Sequence, residues 1–420
     1  CLEICFFDFS ADCYRKVQLA EKEREMKLTE ETPFFFIYSV WTKNGEYREQ
    51  VKRLVTDYDN YISLKLAGDD AYLSEKMVGY PAELDEVYAE SFEEQKKEWF
   101  SCVGDGIQEC RNTWEHKKWN ITDFPEFELA ITIDRPELYY DFLQKDWTRF
   151  CHDYWKNNFL EHHTLSQKRV TRIYIGNQFC HNLFPRKELL FQVLEKALEN
   201  NLAVTLAFSY IRNHLLEEID ELLQELEVWC QSREKEAGKD QEEIIVNDWA
   251  MPMLLQGKPH LKPVLGVLLN KRRKDVRLPY KQGIGNHVDS LAENNLNCGF
   301  YQDYLKNTFD IQRFEFESCG YKVTIPDGHH SLHLPFFQTN TSQYCTLYAV
   351  CRYGDRGKQK LTENCPRYCN KKVFLYPKHL KMVGRYNSLF GYDEKILWDE
   401  KQLQDYLEQG IERIVVNVSL

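Results

Sequence analysis

The chain has 420 residues, 43% of them hydrophobic and 29% charged, a globular composition long enough for one large domain and a smaller one. Its 54 basic and 66 acidic side chains leave a formal net charge of −12, which argues against broad electrostatic binding of nucleic acid. No run approaches the ~18 apolar residues of a membrane span, no signal peptide is legible over residues 1–30, and 14 cysteines are too dilute for a small disulfide scaffold, so a reducing, cytoplasmic setting is expected.

Residues 1–123 lack regular alternation. The apolar run 34–41 predicts a buried strand. The charged stretch 93–118 predicts a helix, with Trp99, Cys102, Ile107, Cys110 and Trp114 at roughly helical spacing. Cys1, Cys5 and Cys13 match no cluster-binding loop and read as packing or end residues. From about 124 the texture changes. Residues 128–133 predict a strand, and Asp134-Arg135-Pro136 predicts a helix start with proline in the first turn. Residues 172–175 predict the next strand, followed by a helix over 186–200. Then come strand 203–208, a long amphipathic helix over 213–233, strands 243–248 and 263–267, and a helix over 299–308. Strands 311–316, 321–325 and 413–418 complete the series. Eight strands alternating with helices predict an α/β fold, a (β/α)8 barrel over 124–420, with 1–123 as an additional N-terminal α+β segment. A doubly wound open sheet is the alternative, weakened because no Gly-x-Gly-x-x-Gly turn follows any strand.

Active residues of such a barrel sit at the carboxyl ends of its strands. Cys180 falls just past the second strand, Asn247-Asp248-Trp249 ends the fourth, and Glu317 ends the sixth. Residues 327–370 read as one long cysteine-bearing loop after the seventh, and a loop that long is usually functional or disordered. It carries Gln343-Tyr344-Cys345 and, twenty residues on, Cys365-Pro366-Arg367-Tyr368-Cys369. Three loop cysteines and Cys180 from a distant strand end would supply the four thiolates of a [4Fe–4S] cage. Cys365-x3-Cys369 is also near zinc-ligand spacing, and most single cysteines are inert core residues. Spacing alone leaves iron–sulfur, zinc and no metal open. Cys351 competes with Cys345 for one ligand position.

His329, His330 and His333 put three imidazoles in five residues, which suits metal binding or proton movement; local hydrogen bonding is the plainer reading. Asp248 and Glu317 are candidate acid–base groups, against capping or ion pairing. The basic run 271–274 reads as a solvated loop after a strand.

Over about 126–420 these residues resemble the collagenase-like peptidases, family U32, and within them the iron–sulfur relatives of anaerobic ubiquinone hydroxylation. The matching pieces are Ile173-Tyr174-Ile175-Gly176 leading to Cys180, Val246-Asn247-Asp248-Trp249, Leu296-Asn297-Cys298 and Phe316-Glu317-Ser318. They continue through Gly328 to His333-Leu334-Pro335 and the cysteine loop. The resemblance implies a [4Fe–4S] cluster on Cys180, Cys345, Cys365 and Cys369, with His333 handling protons near it. It departs from the family where Gln343-Tyr344 replace an arginine before the first loop cysteine, in a longer 345–365 spacing, and over the first 123 residues. By position, His333, Asp248, Glu317, Asn297 and Asn247 fall at strand ends or in adjoining loops, where a barrel would gather them around an organic or peptide-linked substrate. The expected activity is an oxygen-independent hydroxylase-like or other redox reaction. A U32-type peptidase and a non-catalytic, cluster-bearing partner subunit are the alternatives. No Ser–His–Asp order and no His-Glu-x-x-His helix is present to carry hydrolysis.

Overall fold

The computed structural model describes short stretches within residues 2–101 and then 121–418, apart from 238–241, 273, 277–291, 356, 359, 363 and 377–379. Eight strands form one parallel sheet: β1 (Glu128–Ile133), β2 (Arg172–Gly176), β3 (Ala203–Ala207), β4 (Glu242–Val246), β5 (Leu261–Leu265), β6 (Glu315–Glu317), β7 (His330–Leu334) and β8 (Ile411–Val416). Their order is β6-β7-β8-β1-β2-β3-β4-β5. The two edges meet where Leu265 bridges Phe314 and its N–H donates to Arg313 O at 3.0 Å. The sheet is thus a nearly closed (β/α)8 barrel, as the alternation predicts.

Sequence alternation explains the layering. Side chains of successive strand residues point to opposite faces. Ala130, Tyr174, Ala207, Ile245, Val264 and Val415 form a buried cluster of their own. Their neighbours Ile131, Ile173, Ile175, Leu206, Ile244 and Val416 belong to the larger core. Both faces are buried, as parallel strands require. The helices packed around this core include α2 (Pro136–Gln144), α3 (Trp147–Asn157), α4 (Lys187–Glu199), α5 (Leu216–Ala237), α7 (Gly299–Phe309) and α9 (Glu400–Glu408). Pro136 opens α2 at its first position, where a missing N–H costs nothing. Asp146 caps α3 by accepting from Arg149 N at 2.9 Å.

Ionic groups at the start of the strands are also part of the barrel. Arg413 donates to Glu128 at 2.6 Å and to both oxygens of Glu243 at 2.7 and 3.0 Å. Arg172 reaches Glu128 at 2.9 Å and Glu243 at 3.4 Å. The guanidinium groups hold the Glu243 carboxyl down at about 2 although burial alone would raise it.

Two expectations are corrected. The seventh strand is His330–Leu334, not 321–325, which is irregular backbone tied through Thr324 N to Ala292 O at 2.8 Å. The stretch 327–370 is therefore not one loop. It contains β7, the strand Phe336–Thr341, and helix α8 (Thr346–Tyr353). Phe336–Thr341 begins a five-stranded antiparallel sheet that continues through Ser388–Tyr392, Met382–Arg385 and Val373–Leu375 to Glu86–Tyr88. Helix α1 (Ser91–Trp99) packs on this sheet: the Trp99 ring stacks on Tyr392 at 5.2 Å. The predicted helix thus covers 91–99, and residues 102–120 lie outside the described residues. The predicted strand over 34–41 appears as Phe36–Val40, between Leu2–Phe6 and Met26–Glu31 in a separate three-stranded sheet. Cys1 and Cys13 lie outside the described residues, as does the side chain of Cys5. Among the described residues no helix is long and apolar enough to cross a membrane.

Candidate functional site

Two pockets adjoin at the carboxyl end of the barrel. The first is the barrel mouth, roughly 400 Å³ of space between atoms, partly open to solvent. Thr132 and Asp134 line it from β1 and its end, Tyr174 and Gly176 from β2, Glu317 and His333 from β6 and β7, and Asn417 from the end of β8. His333 Nε2 lies 2.5 Å from Glu315 Oε2, and both residues are buried. Tyr174 donates to the same carboxylate at 3.0 Å and meets the His333 ring edge-on at 5.5 Å. Asp134 adds a buried Oδ1 with no partner.

The second pocket spans roughly 450 Å³ of such space and is likewise partly open to solvent. Cys180, Cys345, Cys365 and Cys369 all line it, with His181, Tyr210, Arg212, Tyr386 and Asn387. Cys351 is not among its lining residues. Each cysteine arrives by a local device. Asn177 Oδ1 accepts from both Phe179 N and Cys180 N at 2.9 Å, closing the turn after β2. Gly176 begins that turn at φ +107°, where a Cβ would sit 2.6 Å from Ala207 O. Cys345 caps α8, its sulfur accepting from Tyr348 N at 3.3 Å and donating to Tyr386 O at 3.0 Å. Arg367 at φ +54° starts the turn that carries Cys369, and Arg385 donates to Cys369 O at 3.1 and 3.2 Å. Residues 342–343 are clamped from the β3 side. The Tyr210 hydroxyl donates to Ser342 O and Gln343 O at 3.2 and 3.1 Å, and Arg212 Nη2 donates to Gln343 O.

Burial pushes Cys180 up to about 12, with the neighbouring Cys369 and Cys365 adding to the effect, and raises Cys345 further. Burial also raises Cys369, to about 11, against the pull of Arg385. Burial, then Arg212 and His214, lower His181 to about 4. Two atoms in the pocket are buried without partners: Arg212 Nη1 and Asn387 Oδ1. Among the described residues, no three His, Cys, Asp or Glu side chains stand close enough together to hold a single metal ion.

The other expected site residues are occupied elsewhere. Asp248 Oδ1 caps α6 (Ala250–Leu254), accepting from Ala250 N and Met251 N at 2.9 and 3.2 Å, while Oδ2 accepts from Ile211 N. Asn297 forms a capping box with Asn294 and donates to Thr324 O at 3.2 Å. Asn247 donates to Phe208 O at 2.8 Å and accepts from Leu268 N at 3.2 Å. None of these three lines either pocket. Glu317 lines the mouth, but Gln338 N and Lys274 Nζ occupy its oxygens, at 2.7 and 2.5 Å. Lys274 and Arg272 thus turn inward, and Arg272 donates to Glu317 O at 2.9 Å and Cys319 Sγ at 2.8 Å. For these two residues the solvated reading of the basic run is corrected; Lys271 is exposed and Arg273 lies outside the described residues. Of the histidines, His329 pairs with Glu412 at the surface, and His330, at the start of β7, stacks on Phe314 at 4.7 Å and accepts from Phe314 N at 3.2 Å; both partners are distant in sequence rather than local.

Sequence reasoning missed Glu315, Asp134, Arg212 and Asn387. A glutamate inside the apolar strand 311–316 was the available signal for the first, since an inward carboxylate needs a partner. Fold and site together define a (β/α)8 barrel with a four-cysteine pocket beside its mouth. No family model, curated protein or solved structure matches the chain.

Proposed function

We propose that this protein is an iron–sulfur enzyme, similar to the U32 relatives that hydroxylate without oxygen, acting on an organic or peptide-linked group in a reducing cytoplasm. One observation carries the reading. The single turn Asn177-Gln178-Phe179-Cys180 lines the barrel mouth with its first three residues and the cysteine pocket with its fourth. A redox group on the cysteines would thus be one turn from a substrate in the mouth.

In this reading Cys180, Cys345, Cys365 and Cys369 hold a [4Fe–4S] cluster, which supplies one-electron chemistry or activation of an oxygen donor. To join such a cage Cys345 would have to give up its proton and its bond to Tyr386 O. A lone zinc is the alternative occupant of the same four thiolates, at a bond of about 2.3 Å to each. His333 takes a proton at Nδ1 from a group seated in the mouth, and Glu315 stabilises the resulting imidazolium. Asp134 Oδ1 accepts a hydrogen bond from the same substrate and orients it. The Glu317–Lys274 pair forms a fixed wall. Hydrolysis has less support, because no hydroxyl or thiol is bonded to His333 among the described residues. A cluster-bearing partner subunit would keep the cysteine pocket without needing His333 or Asp134.

The test is anaerobic purification or reconstitution, with iron and acid-labile sulfide measured together. About four of each per chain is the expected result, and Cys365→Ala should lose both along with turnover. A metal-free Cys365→Ala protein that still cleaved peptides at the wild-type rate would establish the peptidase reading instead.

A further inference from the structure

Arg212 follows β3 and lines the cysteine pocket. Its Nη2 is fixed on Gln343 O and on the Tyr210 hydroxyl, the latter at 3.3 Å. Its Nη1 is buried and donates to nothing. Leaving a buried charged donor unmatched is costly. No Asp or Glu lines this pocket to accept from it. An anion held beside the four sulfurs would supply that acceptor.

We propose that Arg212 compensates the negative charge of the thiolate-bound cluster, donating from Nη1, and thereby sets its reduction potential. The inference rests on the iron–sulfur reading above. Four thiolates around a [4Fe–4S]²⁺ core carry a net charge of −2. One added electron takes the core to [4Fe–4S]⁺ and the site to −3, with no bond made or broken. A fixed cation attracts the −3 state more strongly than the −2 state, because the interaction scales with the charge. Arg212 therefore favours the reduced form and raises the potential. Hydrogen bonds to cluster sulfurs act in the same direction.

The experiment reconstitutes wild type, Arg212→Gln and Arg212→Lys without oxygen. Iron and sulfide are counted, and each protein is titrated stepwise with dithionite while the reduced cluster is followed by electron paramagnetic resonance. Arg212→Gln should keep its cluster and become at least tenfold harder to reduce, a shift of about 59 mV to lower potential for a one-electron couple. Arg212→Lys should recover a large part of the shift, because it restores the charge. If Arg212→Gln takes up no cluster while Arg212→Lys does, charge compensation is again supported, now at the level of assembly. Equal potentials in wild type and Arg212→Gln overturn the proposal, as does loss of the cluster from both variants, which would make Arg212 a loop clamp only. A wild type that binds no iron defeats the underlying reading instead, and the two failures are told apart by the iron count.

Discussion

Lys274 Nζ lies 2.5 Å from Oε2 of Glu317, and these side chains are 8% and 4% exposed. Burial lowers the lysine below its usual range, and Glu317 opposes that effect. Breaking such a pair by removing one partner leaves an uncompensated buried charge, at a cost of about 3–5 kcal/mol. Lys274→Met should lose about that much stability in urea unfolding. The double variant Lys274→Met, Glu317→Gln should recover part of the loss, because no charge is then stranded.

His163 gives the fold a pH dependence that can be read directly. Its Nε2 donates to Leu397 O at 2.6 Å and its Nδ1 accepts from Leu165 N at 3.1 Å. Burial lowers it to about 4 from the usual 6.5. A group depressed in the folded state contributes stability that is fully present above 6.5 and lost as the pH falls toward 4. The loss from this residue is about 3 kcal/mol. His163→Gln keeps a donor and an acceptor but cannot titrate, so its denaturant midpoint should fall less between pH 6.5 and 4.5 than that of wild type.

Cys345 and Cys351 stand about one and two-thirds turns apart, at the start of α8 and within it, yet only Cys345 lines the cysteine pocket. After anaerobic reconstitution, Cys351→Ala should bind as much iron as wild type. Cys345→Ala should bind markedly less. Equal loss in both would move the ligand assignment along the helix.

Gly176 sits at φ +107° with Ala207 O and the Phe184 ring within 2.8 Å of where a Cβ would be. Gly176→Ala should cost about 1–3 kcal/mol from backbone strain, and more if the ring has no room to retreat. Because the displaced turn carries Cys180, iron uptake should drop in the same variant. Thermal unfolding and an iron assay on one preparation check both.

The barrel was legible because its outward faces are apolar and regular, as in Ile131, Ile173, Ile175 and Leu206. Strand β7 was not, for a reason specific to this interior. Leu332 and Leu334 face the outer core, but the alternate positions are Ser331 and His333, chosen to meet Tyr174, Arg413 and Glu315. Polar inward residues made a buried strand read as a loop. Tyr321 to Ile325 has the opposite character, with alternating composition but its backbone tied to the 292–297 segment. The cysteines of the second pocket were chosen by residue type and resemblance, and the pocket gathers all four. Asp248 and Asn297 show the converse: strand-end polarity marks a cap as readily as a site. Arg212 and Lys274 were invisible because each is defined by a partner more than forty residues away.

Strand β8 lies between β7 and β1, and its Arg413 answers Glu128 and Glu243 together. It is also the last of the eight strands to leave the ribosome. Until it emerges, β7 and β1 each lack a neighbour and, among the described residues, two acidic side chains share only Arg172 and Arg313. The barrel can therefore close only after translation has passed residue 416, and a nascent chain stopped short of that point should remain open to chaperones and proteases however much of its helical shell has formed.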